Sequence, residues 1–160
     1  MSMPLDDLIN DVSALGGLPF FVVITTLLIS VAPPEKRIAL ALALLGGLAA
    51  CYGITALIRR LWFRQRPQQI AHKNWWQRID ASAFPSLHTM RAAFLATIFA
   101  ILAFGQWLVI IVGILLIVLV AFARVHKKKH HVSDVVVGAL IGILLALIAM
   151  VLMARFAGWF

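Results

Sequence analysis

AAFLATIFAILAFGQWLVIIVGILLIVLVAFA, residues 92–123, runs for 32 residues without a charged side chain. A helix rising 1.5 Å per residue needs about 20 apolar residues to cross about 30 Å of hydrocarbon. The stretch is therefore too long for one simple crossing and too short for two full ones. Gly105-Gln106 interrupts it, and Trp107 follows, as an aromatic anchored at a membrane interface would. The reading is a helical hairpin. Its first arm recovers its length if it begins at Pro85, a residue that the first turn of a helix accepts, and covers 85–104. The second arm covers 107–123.

Three more apolar stretches have the length of a crossing. Residues 14–32 stop at Pro33-Pro34, residues 38–58 stop at Arg59-Arg60, and residues 132–154 stop at Arg155. Ahead of them, Leu5, Leu8, Ile9, Val12 and Leu15 recur at helical spacing with Asp6, Asp7 and Asp11 between. Residues 3–15 thus read as a short amphipathic helix in the membrane interface. It lacks the basic leader of a signal peptide. The expected fold is all-α: a polytopic membrane helical bundle of five transmembrane helices plus this N-terminal interfacial helix, one domain over residues 1–160.

Composition agrees. Hydrophobic residues make up 63% and charged residues 12%, against about 45–50% and about 25% in a soluble domain. A water-soluble globule of this size cannot hide so much apolar surface. Disorder is excluded by the same count, and Cys51, the single cysteine, excludes a disulfide scaffold. The net charge of +8 points to anionic headgroups or substrates rather than nucleic acid. The expectation is an integral, multi-pass protein of the cell membrane.

Five crossings assign every loop to a side. One side receives Arg59, Arg60, Arg64, Arg66, Lys73, Arg78, Arg91, Arg124, Lys127, Lys128 and Lys129, 11 of the 14 cations. The other receives Lys36, Arg37 and Arg155. Trp62, Trp75 and Trp76 flank the first side, Trp107 and Trp159 the second, as two aromatic belts would. The positive-inside rule makes the cation-rich side cytoplasmic. A polyanion site on that side accounts for the same asymmetry.

Three clusters meet on the cation-rich side: RRLWFRQRP (59–67), PSLHT (85–89) and RVHKKKHHVSD (124–134). Together they resemble the type 2 phosphatidic acid phosphatase superfamily, whose pattern is K-x6-R-P, then P-S-G-H, then S-R-x5-H-x3-D. Arg59 and Arg66-Pro67 match the first part, Pro85-Ser86-Leu87-His88 the second, and Ala123-Arg124, His130 and Asp134 the third. Eight of eleven specified positions agree. The departures are Arg59 for Lys, Leu87 for Gly and Ala123 for Ser.

Chemistry supports the match. Hydrolysis of a phosphate ester needs charge neutralisation, an in-line nucleophile and a protonated leaving group. Arg59, Arg66 and Arg124 offer planar forks for phosphate oxygens. Ser86 adds a hydroxyl, and the start of the helix after it, at Leu87, adds backbone N–H groups on the positive end of a dipole. His130 and Asp134, four apart, would share a helix face, so the carboxylate could fix the imidazole's tautomer. The resemblance implies that His130 is the nucleophile and forms a phosphohistidine. It also implies that His88 protonates the leaving oxygen and then activates water. No cofactor or metal is implied.

The implied substrate is a lipid phosphate or diphosphate drawn from the surrounding membrane lipids, with no nucleic-acid partner. An isoprenoid diphosphate of the undecaprenyl type is the first expectation. Phosphatidate, phosphatidylglycerophosphate, or a catalytically weak protein that only binds lipid phosphate are the alternatives. Oligomeric state is left open. Arg91 reads equally as a second phosphate ligand or as a side chain snorkelling to the interface. His126 and His131 beside His130 and Asp134 leave a metal site open. Lys127, Lys128 and Lys129 read as a lipid-facing patch, with a direct substrate contact as the lesser reading. Gly138 and Gly142 read as helix packing, and residues 68–84 as the specificity loop.

Overall fold

Glycine and proline cut the apolar chain into helices. The computed structural model describes residues 4–68, 74–103 and 105–157. Among them run α1 (Pro4–Ala14), α2 (Leu18–Val31), α3 (Arg37–Leu61), α4 (Trp75–Ala81), α5 (Leu87–Leu102), α6 (Trp107–His126) and α7 (Val132–Ala157). No strand occurs among the described residues. A 3-10 turn, Pro34–Lys36, leads into α3. Gly105 adopts φ +71°, a left-handed turn open to glycine, and so reverses the chain between α5 and α6. The hairpin read from residues 92–123 is thus present.

Other boundaries differ from the expectation. Pro85 does not enter the helix; Ser86 is the N-cap and α5 begins at Leu87. Helix α6 continues three residues past Ala123, to His126. Phe104, Met3, Lys73, Trp159 and the 69–73 part of the expected specificity loop lie outside the described residues, as does the side chain of Trp76.

The expected five crossings are met in part. Among the described residues, three segments are long and apolar enough to cross a membrane: Pro34–Leu61, Trp107–His126 and Val132–Arg155. A fourth arises if α1 and α2, bent by 49° at their junction, count as one span. Five full-length spans are not found among the described residues. Helix α5 has 16 residues, about 24 Å at 1.5 Å per residue.

Its shortness goes with its place. Helix α5 packs chiefly against α7 and α6 and also meets α3 and α2. Met90 through Ala96 are buried without a break. A helix apolar on every face needs partners on every face, and α5 is the axis around which the others gather. Phe21, Leu40, Leu44, Met90, Phe94, Ile98 and Met150 form the core there. Helix α6 instead exposes Leu108, Ile111, Leu115, Val118 and Phe122, the outward apolar face that a lipid-facing helix carries.

Small residues bring α7 onto α5. A Cβ on Gly142 would collide with the Met90 carbonyl oxygen, and one on Gly138 would lie 2.6 Å from that of Ser86. Close backbone approach at small residues is the means by which membrane helices pack. It sets the start of α7 directly beside the start of α5, which is where the site forms.

Candidate active site

Four chain segments meet at one end of the bundle: the end of α3 with residues 62–67, the stretch 82–86 before α5, the end of α6 with its following turn, and the start of α7. Backbone bonds tie them. Ala83 N–H donates to the Arg64 carbonyl at 2.7 Å, Ser86 N–H to that of Asp134 at 3.0 Å, and Gln68 N–H to that of Lys128 at 2.8 Å. All three sequence clusters are therefore brought together.

Helix α6 ends at His126 with Lys127 as its C-cap, and Lys128 follows with φ +52°, the left-handed conformation that closes a helix. The chain then turns back, and His130 lies in the turn, before α7 opens at Val132. His130 and Asp134 are consequently not on one helix face. The His130 Nδ1 meets the Ala83 carbonyl oxygen at 2.6 Å, while Asp134 Oδ2 stands 3.9 Å away. A carbonyl can only accept, so Nδ1 carries the proton and Nε2 carries the lone pair. The tautomer is set by Ala83, in correction of the role expected for Asp134.

Asp134 is wholly buried and has other partners. Its Oδ1 accepts from Arg64 Nη1 at 2.7 Å, and its Oδ2 accepts from the His131 backbone N–H at 2.7 Å. The His131 ring lies 3.2 Å from the same oxygen. Arg64 also donates to Ser133 Oγ at 2.7 Å. Asp134 thus organises the turn that carries His130. The sequence does not single out Ala83 or Arg64: a backbone carbonyl has no sequence signature, and Arg64 is one of four arginines between residues 59 and 66, set apart only by a partner 70 positions away.

The three arginines of the resemblance face the same pocket. Arg59, 8% exposed, donates from Nη2 to the Pro85 carbonyl at 3.0 Å. Arg66 donates from Nη2 to the Asp80 carbonyl. Arg124, 6% exposed, donates from Nη1 to Ser13 Oγ at 3.2 Å, and its Nη2 lies 3.5 Å from His130 Nε2. In all three the Nε is buried with no hydrogen-bond partner among the described residues. A buried, unpaired cationic N–H is costly. Three converging on one place form a site shaped for an anion.

Burial, above all, and then the charge of Arg124 push His130 down to about 3; the Ala83 bond opposes them. Burial also lowers Arg66, against Asp80. Lys129 is lowered by burial and by Arg124, Lys127 and Arg66. A neutral His130 has a consequence for stability. Below the ordinary value of 6.5 the unfolded chain binds a proton that the native site refuses, so stability falls as pH drops from about 6.5 towards about 3. The slope for one such site reaches about 1.4 kcal/mol per pH unit. Thermal unfolding in detergent checks it: His130→Gln should flatten this acid limb, and an unchanged limb would contradict the assignment.

Ser86 is fully buried as the N-cap of α5, its Oγ 3.1 Å from Thr89 Oγ1. Leu87 is the first helical residue and its half-buried side chain packs against the core. Its Cβ therefore points away from the pocket, and its N–H, unpaired within the helix, remains free to meet an anion. His88 follows in the first turn, half-buried, with Arg124, Arg91 and His130 as its charged neighbours. Its ring makes no hydrogen bond among the described residues.

Both readings of Arg91 are corrected. It is 3% exposed and donates to the Gly16 carbonyl from Nε at 3.1 Å and Nη2 at 2.7 Å, and to Tyr52 Oη at 2.7 Å. It neither snorkels nor offers a free fork. The His126 ring lies tilted against Phe122, with ring centroids 5.5 Å apart. Among the described residues no three His, Cys, Asp or Glu side chains are grouped as metal ligands.

The family model of the PAP2 superfamily matches residues 40–157. No curated protein matches. Among solved structures, the fold is similar to that of a transmembrane PAP2-type phosphatidylglycerolphosphate phosphatase from Bacillus subtilis. The TM-score is 0.74 and the identity 22%, over 100% of this chain and 82% of that one.

Proposed function

The chain belongs to the PAP2 superfamily, and we propose that it hydrolyses the terminal phosphate of a membrane lipid through a phosphohistidine at His130. The observation that carries this reading is the set of three buried, unpaired Nε–H groups of Arg59, Arg66 and Arg124 beside the unprotonated Nε2 of His130.

The steps follow from the groups present. The arginines and the first N–H groups of α5 bind the phosphoryl oxygens and take up charge as it develops. The Nε2 lone pair attacks phosphorus in line, the phosphorus–oxygen bond to the lipid breaks, and His88 gives the departing oxygen its proton. His88, now neutral, takes a proton from water. The hydroxide attacks the phosphohistidine, releasing inorganic phosphate and restoring His130. Such proton transfers contribute about 10²–10⁴-fold. Asp134 holds the turn that carries the nucleophile, and its negative charge favours the imidazolium form of the intermediate.

A lipid diphosphate of the undecaprenyl type and phosphatidylglycerophosphate are the competing substrates. With Arg91 engaged by Gly16 and Tyr52, Lys129 is the cation left near the site for a second phosphate. The fold likeness to a phosphatidylglycerolphosphate phosphatase favours the monoester. A panel on purified protein in detergent, with chelator present, tests the class. Phosphate release from either lipid is expected. No turnover on any lipid phosphate would leave only a lipid-phosphate-binding protein, and activity restored by a divalent ion would revive a metal reading.

Five crossings fit this site. His88 at the start of α5 and Arg124 near the end of α6 are neighbours, so α5 travels as far from the site as α6 returns. Three of the site-side cations, Arg59, Arg91 and Arg124, are buried and no longer count as loop charge. The remaining excess still favours a cytoplasmic site end by the positive-inside rule. Cys51 is buried, so Lys128→Cys reports alone. Its labelling by an impermeant thiol reagent in intact cells would place the site outside.

A further inference from the structure

The N-terminal segment lies outside the stretch that the family model matches, residues 40–157, yet two buried cations of the site region are tied to it. Arg124 donates from Nη1 to Ser13 Oγ at 3.2 Å. Arg91 holds the Gly16 carbonyl with two N–H groups. Ser13 is 5% exposed, and Ile9, one turn earlier, is also 5% exposed, while Leu5 and Leu8 are open. One face of α1 is therefore packed on the bundle, against α6, rather than floating in the interface.

The corner after α1 presses on the site from the other side. A Cβ on Gly16 would lie 2.8 Å from Val120 Cγ1 and 2.9 Å from the His88 carbonyl oxygen. Gly16 thus touches the turn of α5 that carries His88, and Arg91, three residues on, clamps it there.

We propose that α1 is a wall of the phosphoryl pocket and that Ser13 is a positioning residue for Arg124. A guanidinium on a long stem can rotate about its last bonds. Accepting from Nη1, Ser13 Oγ holds the fork with Nη2 facing His130 Nε2 at 3.5 Å. The residue before Arg124 is Ala123, which brings no hydroxyl of its own. Without Ser13, a second buried N–H of Arg124 joins Nε in having no partner, and the fork is free to turn from the nucleophile. The inference rests on the phosphatase reading above and deepens it.

The test compares Ser13→Ala, Ser13→Thr and, as a control on the lipid-exposed face of the same helix, Leu8→Ala, each in the full chain. Lipid-phosphate hydrolysis and orthovanadate binding are measured, with thermal unfolding alongside. Ser13→Ala should lower kcat about tenfold with KM changed less than about twofold, and weaken vanadate binding about tenfold. Ser13→Thr, which keeps the hydroxyl, should restore both, and Leu8→Ala should match the parent. A merely structural serine would instead lower the unfolding temperature and leave kcat per folded molecule unchanged. That result, or vanadate binding equal to the parent's in Ser13→Ala, overturns the proposal. A parent protein that binds vanadate but turns over no lipid phosphate would defeat the phosphatase reading, with the vanadate comparison still deciding the role of Ser13.

Discussion

Replacing His130 by Ala should reduce lipid-phosphate hydrolysis by at least about 10⁴-fold, the scale on which loss of a nucleophile acts. The variant keeps Arg59, Arg66 and Arg124, whose unpaired Nε–H groups are contributed by other segments. It should therefore still bind inorganic phosphate. What it loses is the Nε2 lone pair, the one nucleophilic atom that the Ala83 bond leaves unprotonated. Rapid acid-free quenching with labelled substrate should trap a phosphorylated protein in the parent and none in the variant. Because Ala83 also loses its donor, unfolding must be measured beside activity. A folded His130→Ala protein with more than about a hundredth of the parent's turnover would remove His130 from the nucleophile's place.

Much of the helical architecture is legible in the sequence. The hairpin over residues 92–123 follows from a charge-free length too great for one simple crossing and from the Gly105-Gln106 break within it. The segments that carry Arg59, Arg66, His88, Arg124 and His130 come together because each cluster sits at a helix end, and the close α5–α7 approach at Gly138 and Gly142 brings two of those ends side by side. Local pattern failed where the chain leaves regular structure. Four-residue spacing puts His130 and Asp134 on one face only if both are helical, and the Lys128 turn takes His130 out of the helix. It failed again for contacts far apart in sequence. Ser13 meets Arg124 across 111 residues and Gly16 meets Arg91 across 75, and neither pairing leaves a periodic trace. The span count is met only in part for a different reason: a helix enclosed by its neighbours, as α5 is, is not held to the length that lipid contact demands.

Replacing Arg124 by Lys should lower kcat by about 10²–10³-fold, the range seen when one aligned donor to a developing anion is lost. The substitution keeps the charge, which separates geometry from electrostatics. The Arg124 fork serves three directions at once: Nη1 reaches Ser13, Nη2 faces His130 Nε2, and Nε is buried without a partner. A lysine ammonium is a single point on a flexible stem and cannot occupy all three. It would still stand near His130 as a positive charge, which along with burial is what keeps that imidazole neutral. The acid limb of the stability profile should therefore be preserved while turnover falls. A Lys variant within about threefold of the parent would mean that Arg124 acts through charge alone. Loss of the acid limb together with activity would mean that the substitution had opened the pocket to water. The expected pair, an intact limb with slow turnover, is what a planar fork aimed at one phosphoryl group requires.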